Sequence, residues 1–273
     1  MSDRSSNGGA PLRVGIAGAL GRMGRAVAAG LAARGDMVLA AACDRPESAG
    51  EAFGALTLAA PGDLLASCDV VIDFTSSAAS AALAIAAGAA ASAAHRPALV
   101  IGSTGWTEPE EQALQAAAKQ VAIVRSGNFS LGVNVLAGLV QETARRLTAD
   151  GWDIEILEAH HRRKVDAPSG TALMLGEAAA RGRQVALSHV RLGGRDGITG
   201  PRPNGAIGFS AVRGGGLVGE HQVMFAADDE VLTLSHSARD RSLFARGAIA
   251  AALWVASRPP GLYDMMDVLG FRD

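Results

Sequence analysis

Short apolar runs with no polar alternation recur through the first half of the chain, and each leads into a segment with helical spacing. The runs are Leu12–Ala17, Met37–Ala42, Val70–Phe74, Ala98–Ile101 and Val121–Val124. A strand that is apolar on both sides has both faces covered, as in a parallel sheet flanked by helices. Between the runs lie Arg22–Arg34, the alanine-rich Ala78–Ala94 and the stretch from Thr107 to Lys119. Thr107 with Glu110 three positions on makes a capping box for the last of these. The alternation predicts an α/β fold, a Rossmann-like doubly wound parallel sheet, with ligands at the carboxyl ends of its strands.

After Asn128-Phe129 the pattern changes. Leu131–Leu147 reads as one long helix, and Asp153–Glu158 alternates polar and apolar as a half-buried strand does. A helix over about Thr171 to Arg181 precedes the strand-like runs Val185–Leu192, Ala206–Val212, Leu217–Phe225 and Val231–Ser235. Strands grouped in this way predict a smaller α+β domain with a mostly antiparallel sheet. The closing helix, Arg241–Ser257, has no partner there and is expected to return to the first domain. The expected division is 1–129 completed by 240–273, then 130–239.

Composition narrows the function classes. Among 273 residues, 25 basic side chains face 27 acidic ones, a formal net charge of −2, so no global attraction to nucleic acid or to an anionic membrane is expected. Alanine fills roughly a fifth of the chain, far above ordinary usage. Ala78–Ala94 is too short, too alanine-rich and too interrupted (Ser80, Gly88, Ser92) to read as a membrane span. The lead-in MSDRSSNGGAP lacks the apolar core of a signal peptide, and Cys43 and Cys68 are too few for a disulfide framework. A cytoplasmic protein is expected.

The first strand runs into Gly15-Ile16-Ala17-Gly18-Ala19-Leu20-Gly21-Arg22-Met23-Gly24. Glycines between a strand and a helix let backbone N–H groups approach a pyrophosphate. The spacing is G-x-x-G-x-x-G, with Leu20 where the commoner motif has glycine, so alone it is a weak signal. Asp44 strengthens it: it ends the second strand about 20 residues beyond Gly24, where an acid accepts from an adenosine ribose. A solvated loop aspartate is the plain alternative. Arg45 beside it suits the 2′-phosphate of NADPH, so the pair suggests tolerance of NADH and NADPH alike. Gly102–Gly105 and Ser126–Phe129 follow later strands and either line the nicotinamide end or are simple turns.

The densest group of chemical side chains runs from Glu158 to Thr171 and includes His160, His161, Arg162, Arg163, Lys164 and Asp166. Adjacent histidines without cysteines or paired carboxylates make a poor metal set, and no metal is expected. A basic surface loop or a phosphate patch remains open. Lysine tilts the balance, because Lys164 is one of only two in the chain, the other being Lys119. An amine can be tuned to donate a proton and a guanidinium cannot; histidine is the other natural donor near neutrality. Pro168-Ser169-Gly170-Thr171 opens a helix whose N–H groups and Thr171 hydroxyl would receive a carboxylate. The cluster suits an enzyme that reduces a dicarboxylate. A dinucleotide-binding sensor would leave its titratable groups idle, and an amino-acid dehydrogenase would leave the PSGT turn without a purpose.

The stretch Glu158–Ala172, EAHHRRKVDAPSGTA, closely resembles the signature of the dihydrodipicolinate reductase (4-hydroxy-tetrahydrodipicolinate reductase) family. Similarity extends through VGIAGALGRMG, DVVIDFTSS, VIGSTGW, SGNFSLGVNVL, IGFSAVRGGGLVGEH and ALWVASRPPGLYDMMDVLG. The resemblance implies a dinucleotide-binding domain and a substrate-binding domain whose sheet builds a homotetramer. It implies reduction of a small cyclic dicarboxylate by NADH or NADPH, in diaminopimelate and lysine biosynthesis, after loss of the substrate's hydroxyl as water. By this similarity His160 is the general acid and Lys164 a second proton donor. His161, Lys164, Gly170 and Thr171 would bind carboxylates. The cofactor would contact Gly18, Ala19, Leu20, Gly21, Arg22, Met23, Asp44, Arg45, Gly102, Ser103, Thr104, Ser126, Gly127, Asn128 and Phe129, and Arg241 would approach it from the returning helix. The stretch near Ala90–Arg96 is longer than in relatives, and Ile198 stands where some members carry a second histidine, which puts in doubt an accessory role for that loop. Gly193–Gly216 is expected to be a mobile loop that closes over substrate. His221 and His236 read as structural or surface groups, and His95 and His189 as solvated.

Overall fold

The computed structural model describes residues 10–92 and 95–272; the amino-terminal lead-in and the end of the alanine-rich segment lie outside them. Two compact units result, one running to Phe129 and resuming at Phe244, the other Ser130–Leu243.

In the first unit β1 (Leu12–Ala17) leads through the glycine turn to α1 (Arg22–Ala32) and β2 (Met37–Cys43). A small antiparallel pair, β3 (Ala52–Phe53) and β4 (Leu56–Thr57), and the single turn α2 (Pro61–Leu64) precede β5 (Val70–Asp73). Then come α3 (Ser77–Ala90), β6 (Ala98–Ile101), α4 (Glu108–Ala117) and β7 (Ala122–Arg125). Val70, Val71, Ile72, Leu99, Val100 and Ile101 have no exposed surface, which is why these runs show no alternation. The helices start where the sequence can satisfy their first N–H groups. The Ser76 hydroxyl accepts from Ala79 N–H before α3, and the Thr107–Glu110 capping box closes the start of α4.

The second unit opens with α5 (Leu131–Arg146) and β8 (Asp153–His160), followed by α6 (Gly170–Gly182), the single turn α7 (Leu187–Val190) and the two-residue β9 (Arg191–Leu192). β10 (Ile207–Arg213), β11 (Glu220–Ala226) and β12 (Val231–Ser237) complete a five-stranded sheet in the order β12-β11-β8-β10-β9. β11 runs antiparallel to β8 and β12, whereas β10 runs parallel to β8 and β9. The sheet is therefore mixed rather than mostly antiparallel. The parallel half exists because the helical crossover after β8 returns the chain to start β9, and the connection 193–206 returns it to start β10, from the same end.

One face of this sheet packs on α5 and α6, with Leu136, Val140, Leu175, Ile154, Ile156, Phe209, Val223 and Phe225 in the core. Val185–Leu192, expected as a strand, is mostly the turn α7. Gln184 takes a left-handed φ of 58°, and Leu187 turns into the core, so the apolar spacing served a turn and not a ladder. Gly193–Gly216 is not one loop either, since β10 lies inside it. Arg202 fastens the rest, donating to Glu155, Asp153 and the carbonyls of Ile154 and Ala206.

α8 (Ser242–Val255), β13 (Gly261–Tyr263) and α9 (Met265–Val268) bring the chain back to the first unit. Ile249 of α8 lies against Gly30 of α1. β13 adds a sixth parallel strand, giving the order β13-β7-β6-β5-β1-β2. Progression along the sheet reverses at β1, so the doubly wound crevice falls at the carboxyl ends of β1 and β5. Among the described residues no helix is long and apolar enough to cross a membrane.

Candidate active site

In the first unit the glycine turn is built by the end of β2 as much as by its own residues. The N–H groups of Gly18 and Ala19 donate to the Cys43 carbonyl at 3.0 Å, and the Leu20 N–H donates to Asp44 Oδ2 at 2.8 Å. Gly18 has φ +80°, a region costly for any residue with a Cβ, and a Cβ at Gly24 would collide with the Gly18 carbonyl. The amides of Gly18 to Gly21 are thus spent on the turn itself. What faces outward is the start of α1, Arg22 and Met23, whose N–H groups have no partner within the helix. No side chain caps α1, in contrast to the serine caps of α3, α5 and α6. An uncapped helix start behind a close-packed glycine turn fits a dinucleotide pyrophosphate.

Asp44 has a side chain only 12% exposed and accepts from both Leu20 and Arg45 N–H, while Arg45 is 74% exposed beside Glu47. Gly102–Thr104 and Ser126–Phe129 follow β6 and β7 at the same sheet edge. Their side chains are largely structural: Ser103 donates to Ser80 at 2.8 Å, Ser126 closes its own turn onto Asn128, and Phe129 is buried. Phe74, which the sequence did not single out, joins the two turns, its ring against Gly102 and edge-on to Phe129 at 5.7 Å. Asp73 before it was missed as well. Burial pushes its carboxyl above the ordinary value, against hydrogen bonds from Ser80 and Thr75.

In the second unit the Glu158–Thr171 segment leaves the end of β8 and enters α6. Glu158 and His160 sit two apart and so share the inward face with Ile154 and Ile156. The Glu158 carboxylate is held by four donors: His160 Nδ1 at 2.6 Å, Ser169 N–H at 3.0 Å, and Arg213 Nη1 and Nη2 at 2.7 and 2.6 Å. Burial alone would raise its pKa, but the Arg213, His160 and Ser169 hydrogen bonds outweigh it and hold the carboxyl below the ordinary range. Arg213 also donates to the Asp166 carbonyl at 2.7 Å, and Gly214 N–H reaches the His160 carbonyl at 2.9 Å.

Lys164 Nζ lies 2.8 Å from Asp166 Oδ1, and its N–H donates back to the His161 carbonyl. His161 has its pKa lowered by burial and by the charges of Arg163, Arg241 and His160, and its Nδ1 is buried without a partner among the described residues. The Ser169 hydroxyl caps α6 by accepting from Ala172 N–H, and a Cβ at Gly170 would meet only open space. His221 packs edge-on to His160 at 5.1 Å with Nε2 3.1 Å from Ser169 Oγ; burial first, then the charge of His160, pushes its pKa down to about 4. It is a structural group, whereas His95, expected to be solvated, meets the Leu65 carbonyl at 2.9 Å. Burial pushes the Cys43 and Cys68 thiols up to about 11, the state of inert cysteines. In the second unit, Arg213 was missed by the sequence reading. The available signal was an arginine on the inward side of β10, in line with Ile207 and Phe209, which demands a buried acid.

Comparison with known proteins matches both halves of the chain to one family. Residues 12–129 match the model for the N-terminus of dihydrodipicolinate reductase and residues 132–269 that for its C-terminus. The 4-hydroxy-tetrahydrodipicolinate reductase of Caulobacter vibrioides is 60% identical over 96% of this chain and 98% of its own. That of Cereibacter sphaeroides (strain KD131) is 53% identical over 93% and 97%. Among solved structures, the dipicolinate-bound dihydrodipicolinate reductase of Paenisporosarcina sp. TG-14 shares the fold, with a TM-score of 0.74 at 22% identity over 94% of this chain and 99% of that one. The chain therefore belongs to the dihydrodipicolinate reductase family, the nicotinamide-dependent 4-hydroxy-tetrahydrodipicolinate reductases of diaminopimelate and lysine biosynthesis.

Proposed function

We propose that NADH and NADPH both serve this reductase, bound in the first unit, and that the second unit binds the cyclic dicarboxylate. The uncapped start of α1 would take the pyrophosphate, Asp44 the adenosine ribose, and Arg45 the 2′-phosphate of NADPH. The turns at Gly102–Thr104 and Ser126–Phe129 would present their backbone to the nicotinamide half. When bound, the reduced nicotinamide supplies the hydride for the unsaturated ring of the substrate.

The observation that carries the substrate assignment is one continuous segment, from the end of β8 to the first turn of α6, that bears His160, His161, Lys164, Gly170 and Thr171. His160 would protonate the substrate as general acid and Lys164 would be the second donor. His161, Lys164, Gly170 and Thr171 would bind carboxylates, with Gly170 and Thr171 in the first turn of α6. A neutral His161 contributes a hydrogen bond and no charge. Lys164 would exchange its Asp166 partner for a substrate carboxylate.

The sheet's second face favours self-association as a homotetramer. Leu157, Val212 and Val231 all point there and are 37%, 59% and 55% exposed. A cytoplasmic site of action fits the two reduced, inert cysteines. The test is turnover of substrate made freshly from aspartate semialdehyde and pyruvate by the synthase, followed as loss of reduced-nicotinamide absorbance with each cofactor. Activity with only one of them overturns the dual-cofactor reading, and a solution mass other than four times 27.7 kDa overturns the tetramer.

A further inference from the structure

We propose that Glu158, clamped by Arg213, is a positioning residue that fixes the tautomer and direction of the His160 ring. This rests on the reading of His160 as the general acid and deepens it. Glu158 Oε2 is 2.6 Å from His160 Nδ1, and Arg213 keeps the carboxylate ionised with two further hydrogen bonds. An ionised carboxylate only accepts, so Nδ1 must carry a hydrogen whether the ring is neutral or charged. The exchangeable proton is therefore confined to Nε2. That atom lies beside Gly219, where a Cβ would stand 3.1 Å from it. After Nε2 gives up its proton, the ring remains as the Nδ1–H tautomer, and the next proton must arrive at the same atom.

The clamp also sets where the donor stands. Glu158 Oε1 accepts from the N–H of Ser169, the cap of α6, and Arg213 Nη2 reaches the Asp166 carbonyl. The carboxylate and its Arg213 partner thus tie together the strand that carries His160, the loop that carries Lys164 and the helix start at Gly170. Buried as it is, with a side chain 1% exposed, it has no other reason to be ionic. An apolar residue would fill the space, but would leave Arg213 Nη1 and Nη2, Ser169 N–H and His160 Nδ1 with a lost partner each.

Substituting Glu158→Gln makes a specific prediction. The amide oxygen is needed at the Oε1 position, where the Ser169 N–H and Arg213 Nη2 both donate. The amide nitrogen then takes the Oε2 position, where Arg213 Nη1 loses that acceptor, and donates to His160 Nδ1, which moves the ring hydrogen to Nε2. The neutral ring is in the wrong tautomer to receive a proton at Nε2, as when an orienting acid becomes an amide in a catalytic triad.

The experiment is ring ¹⁵N NMR of the full-length protein together with steady-state kinetics. In the wild type the neutral His160 ring is expected as the Nδ1–H tautomer. In Glu158→Gln it is expected to become Nε2–H, with kcat down by about 10²-fold and KM for the substrate within about threefold. Glu158→Asp, which keeps the charge, is expected to restore the wild-type tautomer and part of the rate. A double variant with His160→Gln is expected to lose no more than His160→Gln alone. A wild-type ring found as Nε2–H overturns the proposal even if Glu158→Gln fails to fold, and so does an unchanged tautomer or unchanged kcat in a folded Glu158→Gln. Full activity in His160→Gln would instead remove the general-acid reading, while the ring spectra still decide whether Glu158 sets the tautomer.

Discussion

Asp44 accepts the backbone N–H of Leu20 at 2.8 Å, so the acid that closes β2 is also the fastening of the glycine turn that follows β1. The carboxylate proposed to meet the ribose therefore also shapes the turn proposed to take the pyrophosphate. Asp44→Ala is expected to weaken both NADH and NADPH by about 10- to 100-fold, the loss of one or two charge-assisted hydrogen bonds, with kcat at saturating cofactor within about threefold. Fluorescence titration of each cofactor checks this. A loss confined to one of the two would contradict it.

Arg45 stands 74% exposed next to that acid, with Glu47 as its nearer partner at 3.6 Å. Its proposed role depends on the 2′-phosphate alone. Arg45→Ala is expected to lower NADPH affinity by about tenfold while leaving NADH unchanged, and to flatten the salt dependence of NADPH binding. An unchanged ratio of the two affinities would show that the guanidinium does not meet the phosphate.

His160→Gln and Lys164→Ala are each expected to lower kcat by about 10²-fold or more, as loss of a general acid does. His161→Ala is expected to raise KM with kcat nearly unchanged, because a neutral imidazole contributes binding and not proton transfer. Steady-state kinetics with varied substrate separates these. Normal kcat in both of the first two would dismiss their assignment as donors.

His221 links pH to the stability of the second unit. Its pKa falls from 6.5 to about 4 in the fold, because the buried ring resists charging. Below pH 6.5 the unfolded chain takes up a proton that the folded chain refuses. The stabilisation present above that pH is therefore lost as pH falls towards 4, by at most about 3 kcal/mol. Urea midpoints at pH 7 and pH 5 are expected to differ less in His221→Gln than in the wild type. Equal differences would place the acid sensitivity elsewhere.

The parallel sheet was legible because strands buried on both faces leave uninterrupted apolar runs, and the Thr107–Glu110 cap marks α4 in the sequence alone. β13 was not legible, being three residues after a pair of prolines with nothing to alternate. The parallel pairing of β10 with β8 was also hidden, since local spacing marks a strand and is silent on its neighbour. The candidate site divides in the same way. His160, His161 and Lys164 announce themselves by standing together, whereas Glu158 gains meaning only from Arg213, 55 positions away in the chain. Likewise, the glycine turn was expected to offer its own amides. The structure spends those on Cys43 and Asp44, a cost visible only once β2 is in place.

The inward face of β8 passes from Ile154 and Ile156 to Glu158 and His160 without a break. The oily rungs that fix this strand in the sheet are thus the ruler along which its ionic end is measured. A slip of one residue against β11 or β10 would turn Ile156 outward and Glu158 and His160 with it. On the proposed roles of Glu158 and His160, a mispaired chain would then be both unstable and silent. The ladder that checks assembly would then also check the proposed delivery of the proton.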